Sequence, residues 1–194
     1  MNSGLAQPFW LDPKAVNPRP WRRGFASALE TMNLADRGEG PGSGRENRVR
    51  LGELQKHWSA GLAKLEKAAA AAPPQVRARA ESQWRTARSF GDKADMTLRY
   101  VRWLDARNRL FAAKTAADVG AAADALDRIG REELAAARSA LPMYLTDSRM
   151  GHLNHGRGCF TAITISDKIE RLEKTLSREL PALRQSVMRR LANP

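Results

Sequence analysis

The 194 residues, 21.5 kDa, give room for one domain with at most a small appendage. Hydrophobic residues make up 42%, enough for a core and too many for wholesale disorder. The net charge is +12, one Cys excludes a disulfide framework or a Cys-based zinc cluster, and no apolar run approaches the ~20 residues of a membrane span.

Residues 1–20 carry Pro8, Pro13, Pro18 and Pro20, which favours an extended Pro-rich N-terminal segment. Met1 to Pro8 hold neither a basic nor an apolar stretch, so no secretory signal is predicted. A short helix is predicted from Trp21 to Leu34, with Trp21, Phe25, Ala28 and Met32 on one face. Arg37 to Gly44 is Gly-rich and predicts a loop. A long helix follows, Glu46 to Ala72, with Leu51, Leu54, Trp58, Leu62 and Leu65 spaced as a single buried stripe.

Pro73-Pro74 ends that helix and opens a third, to about Lys114. Its periodic positions are Val76, Ala80, Trp84, Ala87, Ala94, Leu98, Val101 and Phe111. Gly91 is placed to bend or break it, at ~1 kcal/mol relative to Ala. Thr115 reads as the N-cap of a fourth helix, Ala116 to Leu141, with Val119, Ala122, Leu126, Ile129, Ala137 and Leu141 inward. Pro142 disturbs its end. A Gly-rich loop spans 146–164, Ser166 caps a fifth helix over 167–177, and Pro181 opens a sixth to Leu191. No strand is persuasive, and close to one residue in six is Ala. The predicted fold is all-α: an antiparallel helical bundle with two long central helices and a Gly-rich loop before short C-terminal helices, residues 21–194 forming one domain.

Charge is uneven. Residues 73–115 hold ten Lys/Arg against four Asp/Glu, residues 116–146 three against five, and the last 48 residues sum to +4. No block of five like charges occurs, so the positive charge is a diffuse field.

Chemistry-bearing residues concentrate between Asp147 and Cys159, which hold two of the three His, the only Cys and three Gly. His152, His155 and Cys159 have the ligand types for a metal, but the spacing fits no closed zinc motif, so no metal and no cofactor is predicted. Cys159 with His152 or His155 as base would be a nucleophilic arrangement, whereas a buried structural Cys is the commoner use. Asp147 and Arg149 suit a loop-holding pair; the same fork could reach a sugar hydroxyl or a carboxylate in a neighbouring cleft. Candidate binding residues are therefore Asp147, Arg149, His152, Asn154 and His155, and no catalytic residue is assigned.

Among the five Trp, Trp58 and Trp84 fall on apolar stripes and are expected in the core, while Trp10, Trp21 and Trp103 are freer. Phosphate-loop, dinucleotide, HExxH and GxSxG motifs are absent. Glu132 and Glu133 point to different faces and form no acid/base dyad. Glu133 falls on the apolar face beside Ile129 and Ala137, where a buried carboxylate needs a partner.

From the fourth helix onward the chain resembles the C-terminal helical region of large bacterial glycoside-hydrolase-like proteins related to alpha-glucuronidases. The resemblance rests on Glu133, Leu141-Pro142, Asp147-Ser148-Arg149-Met150-Gly151, then Thr161 or Thr164, and Lys168-Ile169. Trp21 and the two long helices, to Leu98-Arg99-Tyr100 and Leu110, are similar upstream. Ala136 stands where the family often has Asn, and His152 where it often has an aromatic. The catalytic barrel that such proteins carry upstream is absent from these residues. What the resemblance implies is a non-catalytic accessory domain that packs on a catalytic glycosidase domain or another chain, with carbohydrate as a possible ligand. Relatives of this kind tend to be exported, which the absent signal does not support, so localisation stays open. A basic helical nucleic-acid-binding protein, suggested by the charge, and a scaffolding bundle are the competing expectations.

Overall fold

The computed structural model describes Phe9, Leu11, residues 44–146 and residues 162–193. The predicted helix at 21–34, and nearly all of the predicted loops at 37–44 and 146–164, lie outside the described residues.

Helix α1 is Gly44–Ala70, α2 is Pro74–Ala112, α3 is Ala116–Thr146 and α4 is Ala162–Lys174. A π turn, Thr175–Glu179, continues α4 into α5, Leu180–Ala192. No strand occurs among the described residues, and the all-α class holds. Short turns at 71–73 and 113–115 reverse the chain, so α1, α2 and α3 run antiparallel. The pairs Gly130–Leu176 and Asp124–Arg184 show α4–α5 returning antiparallel along α3. In order across the molecule, α1 packs on α2, α2 on α3, and α3 on the α4–α5 rod.

The punctuation expected from sequence is visible at two boundaries. Pro74 opens α2 after Pro73, where its missing N–H costs nothing. At α3, the Thr115 hydroxyl accepts the Asp118 N–H at 3.1 Å, and the Asp118 carboxylate accepts the Thr115 N–H at 3.1 Å. That is a reciprocal capping box with Asp in the place of the usual Glu.

Three expected breaks are not breaks. α2 continues through Gly91, whose missing side chain lets α1 approach: a Cβ there would meet Trp58 Cδ1 at 2.9 Å. α3 continues through Pro142 to Thr146, one turn beyond the expected end at Leu141. Helix α4 starts at Ala162, with Ser166 inside it, and the gap expected between 177 and 181 is helical. Leu180 N–H donates to the Thr175 carbonyl, five residues back. The wider turn fits the proline's difficulty: Pro181 has no N–H and its ring clashes with a carbonyl four residues earlier, so the rod widens instead of ending.

The apolar stripes are partly relocated. On α3 the expected inner face is correct, with Val119, Ala122, Leu126, Ile129 and Ala137 buried and Leu141 half-buried. On α1 the stripe is not a core stripe, since Leu54 is 45% and Trp58 37% exposed. Among the described residues, α2 is the helix that covers it, and it covers one side. On α2 the expected face is mixed: Val76 is exposed, Ala87, Ala94 and Leu98 are half-buried on the side of α1, and Val101 is buried. A second face, Met96, Tyr100, Trp103, Ala106 and Leu110, enters the main core with α3 and the α4–α5 rod. Helix α2 serves two interfaces, so one period describes only half of its packing.

Candidate functional site

Asp147, Arg149, His152, Asn154 and His155, together with Cys159, lie outside the described residues. The flanks are described. The last turn of α3 is held by Thr146, whose hydroxyl donates to the Pro142 carbonyl at 3.0 Å. Two residues earlier, Tyr144 is buried against the Ser89–Asp92 turn of α2, where Arg88 donates to the Ser139 hydroxyl at 2.9 Å. Burial pushes the Tyr144 phenol up to about 12, the Asp92 charge adds to it, and Ser89 offsets part of it. Asp92 is itself raised, first by burial and against the pull of Arg88.

A buried charge constellation lies about three turns back along α3. Glu133 on α3 is fully buried, and its carboxylate accepts from Arg99 Nε of α2 at 2.5 Å and from Lys168 Nζ of α4. Both Glu133 and Lys168 have fully buried side chains, while Arg99 is 13% exposed. The Lys168 ammonium also faces the Phe9 ring, 5.2 Å from its centroid. Burial pulls the lysine below its ordinary value, Glu133 restores part of that loss, and the Arg99 charge lowers it further. Sequence placed Glu133 inside and demanded a partner. It could not find two partners 34 and 35 residues away.

Chemically this triad is closed. Both carboxylate oxygens are taken by cations and the group is sealed from water, so Glu133 is neither a general base nor a general acid for an outside substrate. What it does is tie α2, α3 and α4 in one register. Glu132, its neighbour, faces outward to Arg102 at 3.1 Å and Arg128 at 2.9 Å. The two carboxylates form no dyad, as the spacing implied.

Arg99 and Arg102 also line an open cleft of about 380 Å³ with Gln55, Asp95 and Leu98, where α1 meets α2. Asp95 is raised by burial, against the pull of Arg99. Among the described residues no group of three or more His, Cys, Asp or Glu could hold a metal ion, and no helix is long and apolar enough to cross a membrane.

The tryptophans exchange the roles expected of them. Trp103, expected to be free, is completely buried. Trp58, expected in the core, lies at the α1–α2 surface, its Nε1 donating to the Ala87 carbonyl at 3.0 Å. Its ring stands 6.3 Å from that of Phe90, which is 50% exposed and has Lys93 Nζ 5.1 Å from its centroid. Trp84, also expected in the core, is half-buried with the Arg88 guanidinium 5.6 Å from its ring. Trp10 and Trp21 lie outside the described residues. Comparison with protein-family models, curated proteins and solved structures found no match to the chain.

Proposed function

We propose that this chain is a non-catalytic helical accessory module, of the kind found at the C-terminus of bacterial glycoside-hydrolase-like proteins, that packs on a catalytic barrel or another protein chain. The observation that supports it best is where apolar surface remains. The innermost charges, Glu133 and Lys168, pair with each other and with Arg99, while Leu54, Trp58 and Phe90 stay exposed around the α1–α2 seam. Exposed aromatic side chains are what protein contact surfaces enrich. In this reading the segment after Thr146, with Asp147 and Arg149, sits at the rim of the partner's cleft and touches carbohydrate at most as a binding element.

The test has two arms. An antibody against the chain, used on the native organism, is expected to detect a band far above 21.5 kDa or a 21.5 kDa band that co-elutes with a glycosidase. The pure chain is expected to leave aryl glycosides and aryl glucuronides intact; hydrolysis that disappears in Asp147→Ala would overturn the reading.

The charge of +12 favours nucleic-acid binding as the second reading. Much of the described positive charge is already paired, as in Arg102–Glu132, Arg131–Asp127 and Arg138–Glu173. If phosphates are neutralised, log K falls by ~0.9 per contact per log unit of salt. Affinity that hardly changes between low and physiological salt removes this alternative.

A further inference from the structure

The seam between α1 and α2 has two unlike sides. On one, Arg99 and Arg102 reach α3, where Glu133 and Glu132 meet them. The other bears Trp58 and Phe90, whose ring centroids stand 6.3 Å apart. Helical spacing extends this second side along both helices as rows at steps of three and four, positions 50, 54, 57, 61 and 64 on α1 and 79, 83, 86, 90 and 93 on α2. Every position in the two rows is exposed except Lys93, which is half-buried. Neither row holds an Asp or a Glu, whereas Arg50, Lys64, Arg79 and Lys93 flank Leu54 and Phe90. The sequence neighbours Glu53 and Asp92 lie about 100° further round their helices, Asp92 beside Arg88. From Gly44 to Ala112 there are fifteen Lys/Arg against seven Asp/Glu, while the described helices α3 to α5 hold ten against nine. Positive charge is gathered on the layer where apolar surface is also left open.

Charge and geometry together select the occupant. A second copy would set like charge against like charge, which costs affinity. Base stacking needs an open ring face. Trp58 lies close on Gly91 and donates its Nε1 to the Ala87 carbonyl, and the Lys93 ammonium stands 5.1 Å from the Phe90 centroid. What fits is an apolar stripe bordered by carboxylates. We propose that this side of the α1–α2 seam docks an acidic amphipathic helix of a protein partner, its apolar side chains on Leu54, Trp58 and Phe90 and its carboxylates against Lys64, Arg79 and Lys93. That the partner is a protein rests on the accessory-module reading; its acidity and its stripe rest on the two rows. An apolar helix face laid in a groove, with complementary charge at the rim, is a recurring mode of recognition. The rows run for about 20 Å, the length of a helix of about 14 residues.

The probe is a labelled synthetic helix of about 18 residues, with Leu at steps of three and four and Glu and Ala elsewhere. It is titrated with the full chain at physiological salt and read by fluorescence anisotropy. It is expected to bind about tenfold or more tightly than a peptide of the same composition in scrambled order, which keeps the charge and loses the stripe. Leu54→Ser with Phe90→Ser, and separately Lys64→Glu with Arg79→Glu, should each weaken binding by about tenfold or more. Arg178→Glu with Arg189→Glu makes the same charge change on the α4–α5 rod and should weaken it by less than about threefold. All six positions are exposed, and circular dichroism checks the fold of each variant. Equal binding of the ordered and scrambled peptides, or an equal loss in the rod variant, overturns the proposal, because net charge alone then binds. A single-stranded oligonucleotide that binds more tightly than the peptide, and weakens in Leu54→Ser with Phe90→Ser, also overturns it. So does a dimer in sedimentation that the same pair dissolves. Peptide binding without co-elution with any glycosidase removes the accessory-module reading and keeps this surface; co-elution without peptide binding does the reverse.

Discussion

Glu133 shows how a single residue can be legible and still incompletely understood. Its place between Ile129 and Ala137 on an apolar face makes it a buried carboxylate, and physics then requires a cation. The structure supplies Arg99 and Lys168. Removing one member leaves buried charge uncompensated, so Glu133→Ala should cost about 3–5 kcal/mol in urea unfolding. The double variant Glu133→Leu with Lys168→Met should cost clearly less than Glu133→Ala, since well-packed apolar replacements of buried pairs are often near neutral. A loss under about 1 kcal/mol for Glu133→Ala would mean that the carboxylate is not sealed. The two tyrosines offer a second test at this scale. Tyr100 and Tyr144 are both raised above 10.0, chiefly by burial, Tyr144 to about 12. A folded value above the unfolded one contributes stability fully below pH 10 and loses it as pH rises through about 12. For Tyr144 that contribution is on the order of 2–3 kcal/mol. Phenolate absorbance at 295 nm should therefore stay well under half-maximal at pH 10, and half ionisation there would contradict the burial of both rings.

At the scale of elements, the helices divide into positions where a side chain has room and positions where it has none. Gly61 on α1 has open space around the missing Cβ. Gly61→Ala should stabilise by about 0.5–1 kcal/mol through helix propensity alone. On α3 a Cβ at Gly130 would stand 2.6 Å from Leu176 Cδ2 and 3.1 Å from Trp103 Cζ3. Leu176 can yield and a packed indole yields far less, so Gly130→Ala should cost about 1–3 kcal/mol despite the same propensity gain. Thermal melts of the two variants moving in the same direction would refute this packing. The capping box carries a pH signature. The Thr115 hydroxyl, then its N–H, holds the Asp118 carboxyl below the usual carboxylate value of 3.8. The lowered value means stability that is present above pH 3.8 and is lost as pH falls through the folded-state value. Thr115→Ala should cost about 1 kcal/mol at pH 7. Asp118→Ala should lower the melting temperature at pH 7 by more than it does in acid below pH 3.8; a difference that does not shrink as the pH falls would show that the cap does not depend on its charge.

Across the whole molecule, stability is expected to be graded. Helices α2, α3 and α4–α5 share one core, whereas among the described residues α1 packs mainly on α2 and has a single buried position, Ala69. Few buried contacts mean a low opening free energy, so native-state hydrogen exchange should release α1 amides well before those of the Trp103–Leu126 core. Uniform protection across all helices would show that α1 is covered by more than α2. The same openness underlies the accessory-module proposal. An outer helix with Leu54 and Trp58 beside Phe90 is where a partner would dock, and docking there would bring α1 up to the stability of the rest.

What the sequence determined by itself is what depends on neighbours along the chain. The helical class, the stops at Pro73-Pro74 and Thr115, the inner face of α3 and the burial of Glu133 are all set by residues within a few turns of one another. Only the tertiary structure decided which face meets which helix. Periodicity identifies an apolar stripe but not its cover, so Trp58 on a regular stripe is exposed while Trp103 is enclosed. Gly91 and Pro181 read locally as interruptions, and long-range packing together with a π turn absorbs both. The cations on Glu133 and the ring over Lys168 come from residues tens to more than a hundred positions away, and chemistry between such distant residues exists only once the helices have assembled.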